Sequence, residues 1–129
     1  MRARILVVED NSLNLQLVRD ILEHRGHEIE SAMTVQEARA KLQRAKPDVV
    51  LLDIQLPGGG GEGLLREIRG TVALADLPVV AVTALAMDGD RERLLVAGFN
   101  GYVSKPIDTL TFAATVESFI MQTEASDDG

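Results

Sequence analysis

Three segments of the chain are apolar without a break: Ile5–Val8, Val49–Leu52 and Pro78–Val82 ("PVVAV"). Runs of four or five apolar residues between polar ends predict strands buried on both faces. Glu28–Ala32 alternates polar and apolar, which predicts a half-buried strand nearer an edge. Tyr102 and Val103 predict a brief fifth strand. Between these runs the period changes to that of a helix. Ser12–Arg25 carries Leu15, Val18, Ile21 and Leu22 on one face and stops at Gly26. Thr34 opens "TVQE", a capping box that starts a helix running to about Ala45 and ended by Pro47. Further helices are expected over about Glu62–Arg69, over Asp88–Ala97 with Gly98 as a left-handed stop, and from Asp108 or Thr109 to about Met121.

Five strand–helix units in alternation predict an α/β fold: a five-stranded parallel sheet, doubly wound, with five helices. The common strand order for five is 2-1-3-4-5, and ligands then sit beyond the carboxyl ends of strands 1 and 3. A single domain over residues 1–122 is expected, with Thr123–Gly129 as a flexible acidic tail. A chain of 129 residues buries roughly 68% of its unfolded surface, enough for a real core.

Composition narrows the chemistry. Twenty acidic residues against thirteen basic ones give a charge of −7, which argues against a nucleic-acid surface and suits a protein or cation partner. With no cysteine there is no disulfide framework, thiolate metal site or thiol nucleophile. No segment reads as a signal peptide or reaches the roughly 20 apolar residues of a membrane span, so a cytoplasmic location is the default.

The strand ends carry the remaining signal. Strand 1 stops on Glu9 and Asp10, strand 3 on Asp53, strand 4 on Thr83, and Lys105 follows strand 5. The expected topology brings three carboxylates, a hydroxyl and an ammonium to one crevice. Alone, Glu9 and Asp10 read equally well as a solvated strand end; Asp53 at the neighbouring strand's end favours a site. Like charges at ~4 Å repel by about 4 kcal/mol at an effective dielectric of 20. A divalent cation removes that conflict, and oxygen ligands without His or Cys point to Mg²⁺, or to Mn²⁺ as a substitute. A carboxylate beside a metal, an ammonium and a hydroxyl is a phosphoryl-acceptor arrangement.

"VVEDN", "PDVVLLDIQLP", "PVVAVTALAM" and "GYVSKPI" together resemble the receiver domain of bacterial two-component response regulators, over about Arg4 to Met121. "EDNSLN" and "ALAMDGDRE" are most similar to single-domain receivers of the cell-division type and to receivers within hybrid histidine kinases. The resemblance implies a flavodoxin-like fold and Asp53 as phosphoacceptor. It implies Mg²⁺ held by Asp10, Asp53 and the Gln55 backbone carbonyl, with Glu9 acting through water. It implies Lys105 paired with the phosphoryl group, Thr83 moving to bond it, and Tyr102 turning inward in response. It implies a sensor histidine kinase or histidine phosphotransfer domain as donor, docking on the first helix, where Leu13, Asn14 and Leu17 are candidates for contact. Leu13 and Leu17 lie at one margin of that helix's apolar face and read equally as core edge. It also raises the expectation of a cis Lys105–Pro106 bond.

The expected function is a phosphorelay switch whose output is binding to another protein, as a monomer or weak dimer, and not an enzyme in the metabolic sense. The chain ends soon after its last helix, which predicts no output domain, and its start at Met1 mildly favours a complete protein over a piece of a hybrid kinase. Gly58–Gly61 departs from the family pattern: a polar residue is usual just before Gly61, and Gly60 removes that cap. A mobile loop beside Asp53 is expected. Leu85 offers no polar group to position a water, which predicts a long phosphoryl lifetime. His24 and His27 are expected to be exposed. Met87, Leu94 and Leu95 read as packing residues. A metal-dependent phosphatase needs a second acid where Gln55 stands, and a flavin carrier needs aromatics, which make up 3%. An unmodified scaffold fits poorly with the intact acid set.

Overall fold

The computed structural model describes residues 1–57, 60–84 and 89–128, with the side chains of 122–128 left aside. Five strands, β1 (Arg4–Val8), β2 (Glu28–Ala32), β3 (Val49–Asp53), β4 (Val79–Thr83) and β5 (Gly101–Ser104), alternate with five helices. These are α1 (Ser12–His24), α2 (Val35–Arg44), α3 (Gly60–Gly70), α4 (Asp90–Ala97) and α5 (Phe112–Asp128). All strands pair in parallel, in the order β2-β1-β3-β4-β5. This is the predicted topology.

The two faces of the sheet are two separate apolar layers. On one, Val18 and Leu22 of α1 meet Phe112, Val116 and Ile120 of α5 over Ile5, Val7, Val49 and Leu51. On the other, Leu64, Leu65 and Ile68 of α3 and Leu94 of α4 cover Leu52, Val79 and Ala81. The strands with unbroken apolar runs are buried throughout because both their faces are covered.

Local chemistry sets most boundaries. The Thr34 hydroxyl accepts from the Glu37 N–H at 3.1 Å while Glu37 accepts from the Met33 N–H at 3.0 Å, so the capping box starts α2 as read. Gly98, at φ +116, closes α4 in the left-handed conformation. The central pairing is fixed at the amino end of β3, where the Asp48 carboxylate accepts from the Arg4 N–H at 2.8 Å and the Asp48 N–H donates to the Arg4 carbonyl at 2.8 Å.

Apart from shifts of one or two residues at strand ends and at the start of α4, three helix boundaries differ from expectation. α3 begins at Gly60 rather than near Glu62. The last helix begins at Phe112 because Asp108 first makes a turn, its carboxylate accepting from the Leu110 N–H. That helix continues to Asp128 rather than about Met121, since neither Gly nor Pro interrupts it before Gly129. A short 3-10 turn over Val72–Leu74 was not anticipated. The Lys105–Pro106 bond is cis.

Candidate functional site

β1, β3, β4 and β5 all end on the same edge of the sheet, so the backbone itself gathers the polar residues. Asp53 pairs only with Val82, since β1 stops opposite Leu52. It therefore stands one residue beyond β1, level with the turn that carries Glu9 and Asp10. The carboxylates of Glu9, Asp10 and Asp53 offer oxygens that all lie within 4.8 Å of one another. Glu9 and Asp53 are buried at 4% and 3% exposure, whereas Asp10 faces solvent.

Each buried acid is held in place. Asp53 Oδ1 accepts from the Gln55 N–H at 2.9 Å. Glu9 Oε2 accepts from the Asn11 N–H at 3.3 Å. Lys105 Nζ lies 2.8 Å from Glu9 Oε1 and 3.2 Å from Asp53 Oδ2, joining the two. Thr83 is fully buried, and its carbonyl accepts from the Lys105 N–H, which fixes the start of the Lys105 segment against β4. Tyr102 on β5 is half-buried and packs against the α3/α4 layer of the core.

The electrostatics carry the mark of crowded acids. Burial pushes the Glu9 carboxyl above its ordinary range, and its hydrogen bond with Asp53 adds to that; Lys105 and the Asn11 N–H pull the other way. For Lys105, burial disfavours the ammonium, but the bond to Glu9 and the charge of Asp53 outweigh it and raise its pKa. Three oxygens poised around one point, two of them desolvated, suit a hard divalent cation. The donor set fits Mg²⁺: carboxylate oxygens, an open side at Asp10 and no nitrogen or sulfur ligand.

The remaining candidates sort by exposure. Leu13 is 81% exposed and is not core edge; it sits in the first turn of α1, where the chain has just left the site and has nothing to pack on. Asn14 and Leu17 are half-buried. His24 is exposed as expected, but His27 is buried, because its ring accepts from the Ala3 N–H and reaches α5. Leu94 is core, while Leu95 is 41% exposed. Gly58, Gly59, Leu85 and Met87 lie outside the described residues, and with them the expectations of a mobile glycine loop and of a hydrolysis-tuning Leu85.

Asn11 was missed in the sequence. Its side chain caps α1 by accepting from the Asn14 N–H at 3.0 Å, while its own N–H holds Glu9. An Asn immediately before the helical period is the signal that would have found it. Arg69 was missed too. Its guanidinium donates to the carbonyls of Ala75, Leu77 and Gly98 and to Asn100 Oδ1, fastening the end of α4 to α3. No local pattern announces that role.

The model of the response regulator receiver domain matches residues 5–117. The chain belongs to that family. Receivers of this kind act in two-component signalling, and the site just described occupies the crevice expected for the fold. The polar-differentiation response regulator DivK of Brucella ovis is 38% identical over 120 residues, covering 93% of this chain and 98% of that protein. The receiver domain of the sensor histidine kinase PA1611 of Pseudomonas aeruginosa, whose structure has a magnesium ion coordinated in its active site cleft, is 31% identical, with a TM-score of 0.83 and coverage of 94% and 99%. A CheY-like receiver from Methanospirillum hungatei superposes with a TM-score of 0.86 at 28% identity, covering 98% and 99%. This receiver is thus similar both to single-domain regulators and to domains of hybrid kinases. Among its described residues no helix is long and apolar enough to cross a membrane.

Proposed function

We propose that this receiver accepts a phosphoryl group on Asp53 from a phosphohistidine and thereby switches its binding to a protein target. The reading is supported above all by the bridge that Lys105 makes between Glu9 and Asp53 inside a buried acidic cluster. In the transfer, an Asp53 oxygen attacks phosphorus in line, the phosphorus–nitrogen bond breaks, and the imidazole leaves with the bonding pair. Asp10, Asp53 and the Gln55 backbone carbonyl are the residues that would hold Mg²⁺, with Glu9 reached through a water. The ion supplies charge neutralisation for the phosphoryl oxygens.

The chain's own groups do the rest. The Gln55 N–H orients one Asp53 oxygen. Lys105 leaves its carboxylate partners for the incoming phosphoryl oxygens, a stronger anion. The Thr83 hydroxyl moves to bond the new phosphoryl group, and Tyr102 takes the space vacated, which biases a two-state equilibrium on the α4–β5–α5 face. Leu13, Asn14 and Leu17 are the proposed donor contacts. Domain limits of 1–122 with an acidic tail, Mg²⁺ as the natural ion with Mn²⁺ as a substitute, a sensor kinase or histidine phosphotransfer donor, a cytoplasmic setting and a signalling rather than metabolic role complete the proposal.

Acetyl phosphate with Mg²⁺ tests it. The expected result is one added phosphoryl mass on the wild type, none on Asp53→Asn, and none on the wild type in EDTA. Labelling of Asp53→Asn at the wild-type rate refutes the assignment.

A further inference from the structure

α5 is fastened to the far end of α1 by a single carboxylate. Glu117, on α5, lies 2.8 Å from Nε2 of His27, 90 positions earlier in the chain. Its other contacts are with Arg25, whose Nε donates to Oε2 at 3.2 Å and whose Nη2 donates to Oε1. The His27 side chain is fully buried and Glu117 is 13% exposed. Nδ1 of His27 accepts from the Ala3 N–H at 3.0 Å, so the ring hydrogen sits on Nε2 and points at Glu117. Gly26, left-handed at φ +92, turns the chain out of α1 between Arg25 and His27, and both side chains reach the one carboxylate. Bonds to Arg25 and to His27 both hold the Glu117 pKa low, Arg25 more strongly, with burial opposing.

The two helices joined this way both spring from the site. α1 starts at Ser12, with only Asn11 between it and Asp10, and α5 follows the segment that carries Lys105. α1 bears a nearly bare leucine in its first turn, Leu13 at 81% exposure, and the turn that leads into α5 carries another, Leu110 at 93%. Both helices lie on the same face of the sheet, packed on each other through Val18, Leu22, Phe112 and Val116. A small phosphodonor needs only the crevice at Asp53. A protein donor has to rest on the rim, so the spacing of α1 and α5 enters its orientation but not that of the small molecule.

We infer that Glu117, through His27 and Arg25, is a positioning residue for phosphoryl transfer from a protein donor: it fixes α5 against α1 and so sets the rim on which the donor sits. The inference rests on the phosphoacceptor reading above. Glu117→Ala and Glu117→Gln are the test variants, and the conservative pair checks that any loss follows the carboxylate. The histidine kinases and histidine phosphotransfer domains of the source genome are profiled on the wild type, and the fastest is kept as donor; if none loads the wild type, the inference is overturned. Expected: Glu117→Ala loads at least about tenfold more slowly from that donor, Glu117→Gln falls between, and both load from acetyl phosphate within twofold of wild type. Equal slowing from both donors, or no slowing from either, overturns the inference.

A second measurement needs no donor. The chain has no cysteine, so spin labels at cysteines replacing Gln16 and Ser118 report the α1–α5 distance directly. A broadened distribution in Glu117→Ala is expected; an unchanged one overturns the inference. If acetyl phosphate fails to label wild-type Asp53, the phosphoacceptor reading fails, and the spin-label result still stands or falls separately.

Discussion

Two glycines two residues apart in α3 should respond to the same substitution with opposite sign. A Cβ on Gly61 would meet the Asp53 carbonyl oxygen at 2.7 Å, Ile54 Cα at 2.9 Å and Leu52 Cγ at 3.0 Å. Two of these are backbone atoms at the end of β3 and cannot rotate away. On Gly63 the nearest neighbour is the tip of the Arg66 side chain at 3.9 Å, which moves freely. Both positions are helical, so alanine gains about 0.5–1 kcal/mol at either from backbone entropy. At Gly61 the overpacking cost lies toward the upper end of its range, about 2–3 kcal/mol, because the clash is with fixed backbone; against that gain it leaves a net loss of about 1–2.5 kcal/mol. For a domain of this size that is a fall in thermal midpoint of about 4–10 °C for Gly61→Ala, against a rise of about 2–4 °C for Gly63→Ala. Differential scanning calorimetry in EDTA, with urea unfolding as a second measure, reads both. A Gly61→Ala protein at or above the wild-type midpoint would refute the close-packing argument. A destabilised Gly63→Ala would refute the claim that α3 is regular and open there. Because the clash falls on the Asp53 carbonyl, Gly61→Ala should also slow loading by acetyl phosphate, and Gly63→Ala should not.

Three other outcomes follow from the charges. Lys105→Met leaves Glu9 and Asp53 buried together without a cation, so Mg²⁺ should bind it at least about tenfold more tightly than wild type, or about 1.4 kcal/mol, by calorimetric titration. Equal affinity would mean that the ammonium does not compete for the cation site. The Glu117 pKa is lowered, chiefly by its bond to Arg25 and further by His27, so its contribution is present above the ordinary carboxylate range and lost as pH falls through the lowered value. Glu117→Gln should therefore be less stable than wild type at pH 7 by about 1–3 kcal/mol, with the gap closing in urea titrations as pH falls below the ordinary carboxylate range. A gap that persists there would rule out the ionised carboxylate as its source. Arg69→Met strips a donor from the carbonyls of Ala75, Leu77 and Gly98 at once and should cost about 2–4 kcal/mol in the same assay. A loss below 0.5 kcal/mol would show that water replaces the guanidinium freely.

The fold was legible because its signals are local and agree with one another. Ile5–Val8, Val49–Leu52 and Pro78–Val82 could only be doubly covered strands, and Thr34, Gly26 and Gly98 punctuate the helices between them. Given that topology, the meeting of Glu9, Asp10, Asp53, Thr83 and Lys105 follows from where the strands stop. What could not be read depends on partners distant in the chain. His27 looked like a solvent residue at a helix end; its burial comes from Ala3 and Glu117, one 24 positions before it and the other 90 after it. Arg69 entered only as the approximate end of an expected helix, and its acceptors lie up to 31 residues further on. Leu13 sat on the margin of an apolar stripe, where periodicity cannot tell packing from exposure; only its place in the first turn decides. Asp108 was read as a helix start, yet its carboxylate bonds two residues on and delays the helix to Phe112.

The middle of the sheet has a weakness that the Asp48–Arg4 pair answers. Strands that are apolar at every position carry no alternation, so sliding β3 by one residue would exchange one greasy side chain for another at little penalty along most of its length. Such a slip would swing the Asp53 carboxylate to the opposite face of the sheet and leave the crevice without its proposed phosphoacceptor. The two polar bonds at Asp48 work as a gauge stop: with that residue seated, the fifth one after it can only arrive at the rim pointing the right way. The aim of the Asp53 carboxylate is thus decided at the end of the strand most remote from it, and a change at Asp48 would misdirect the proposed acceptor without touching it.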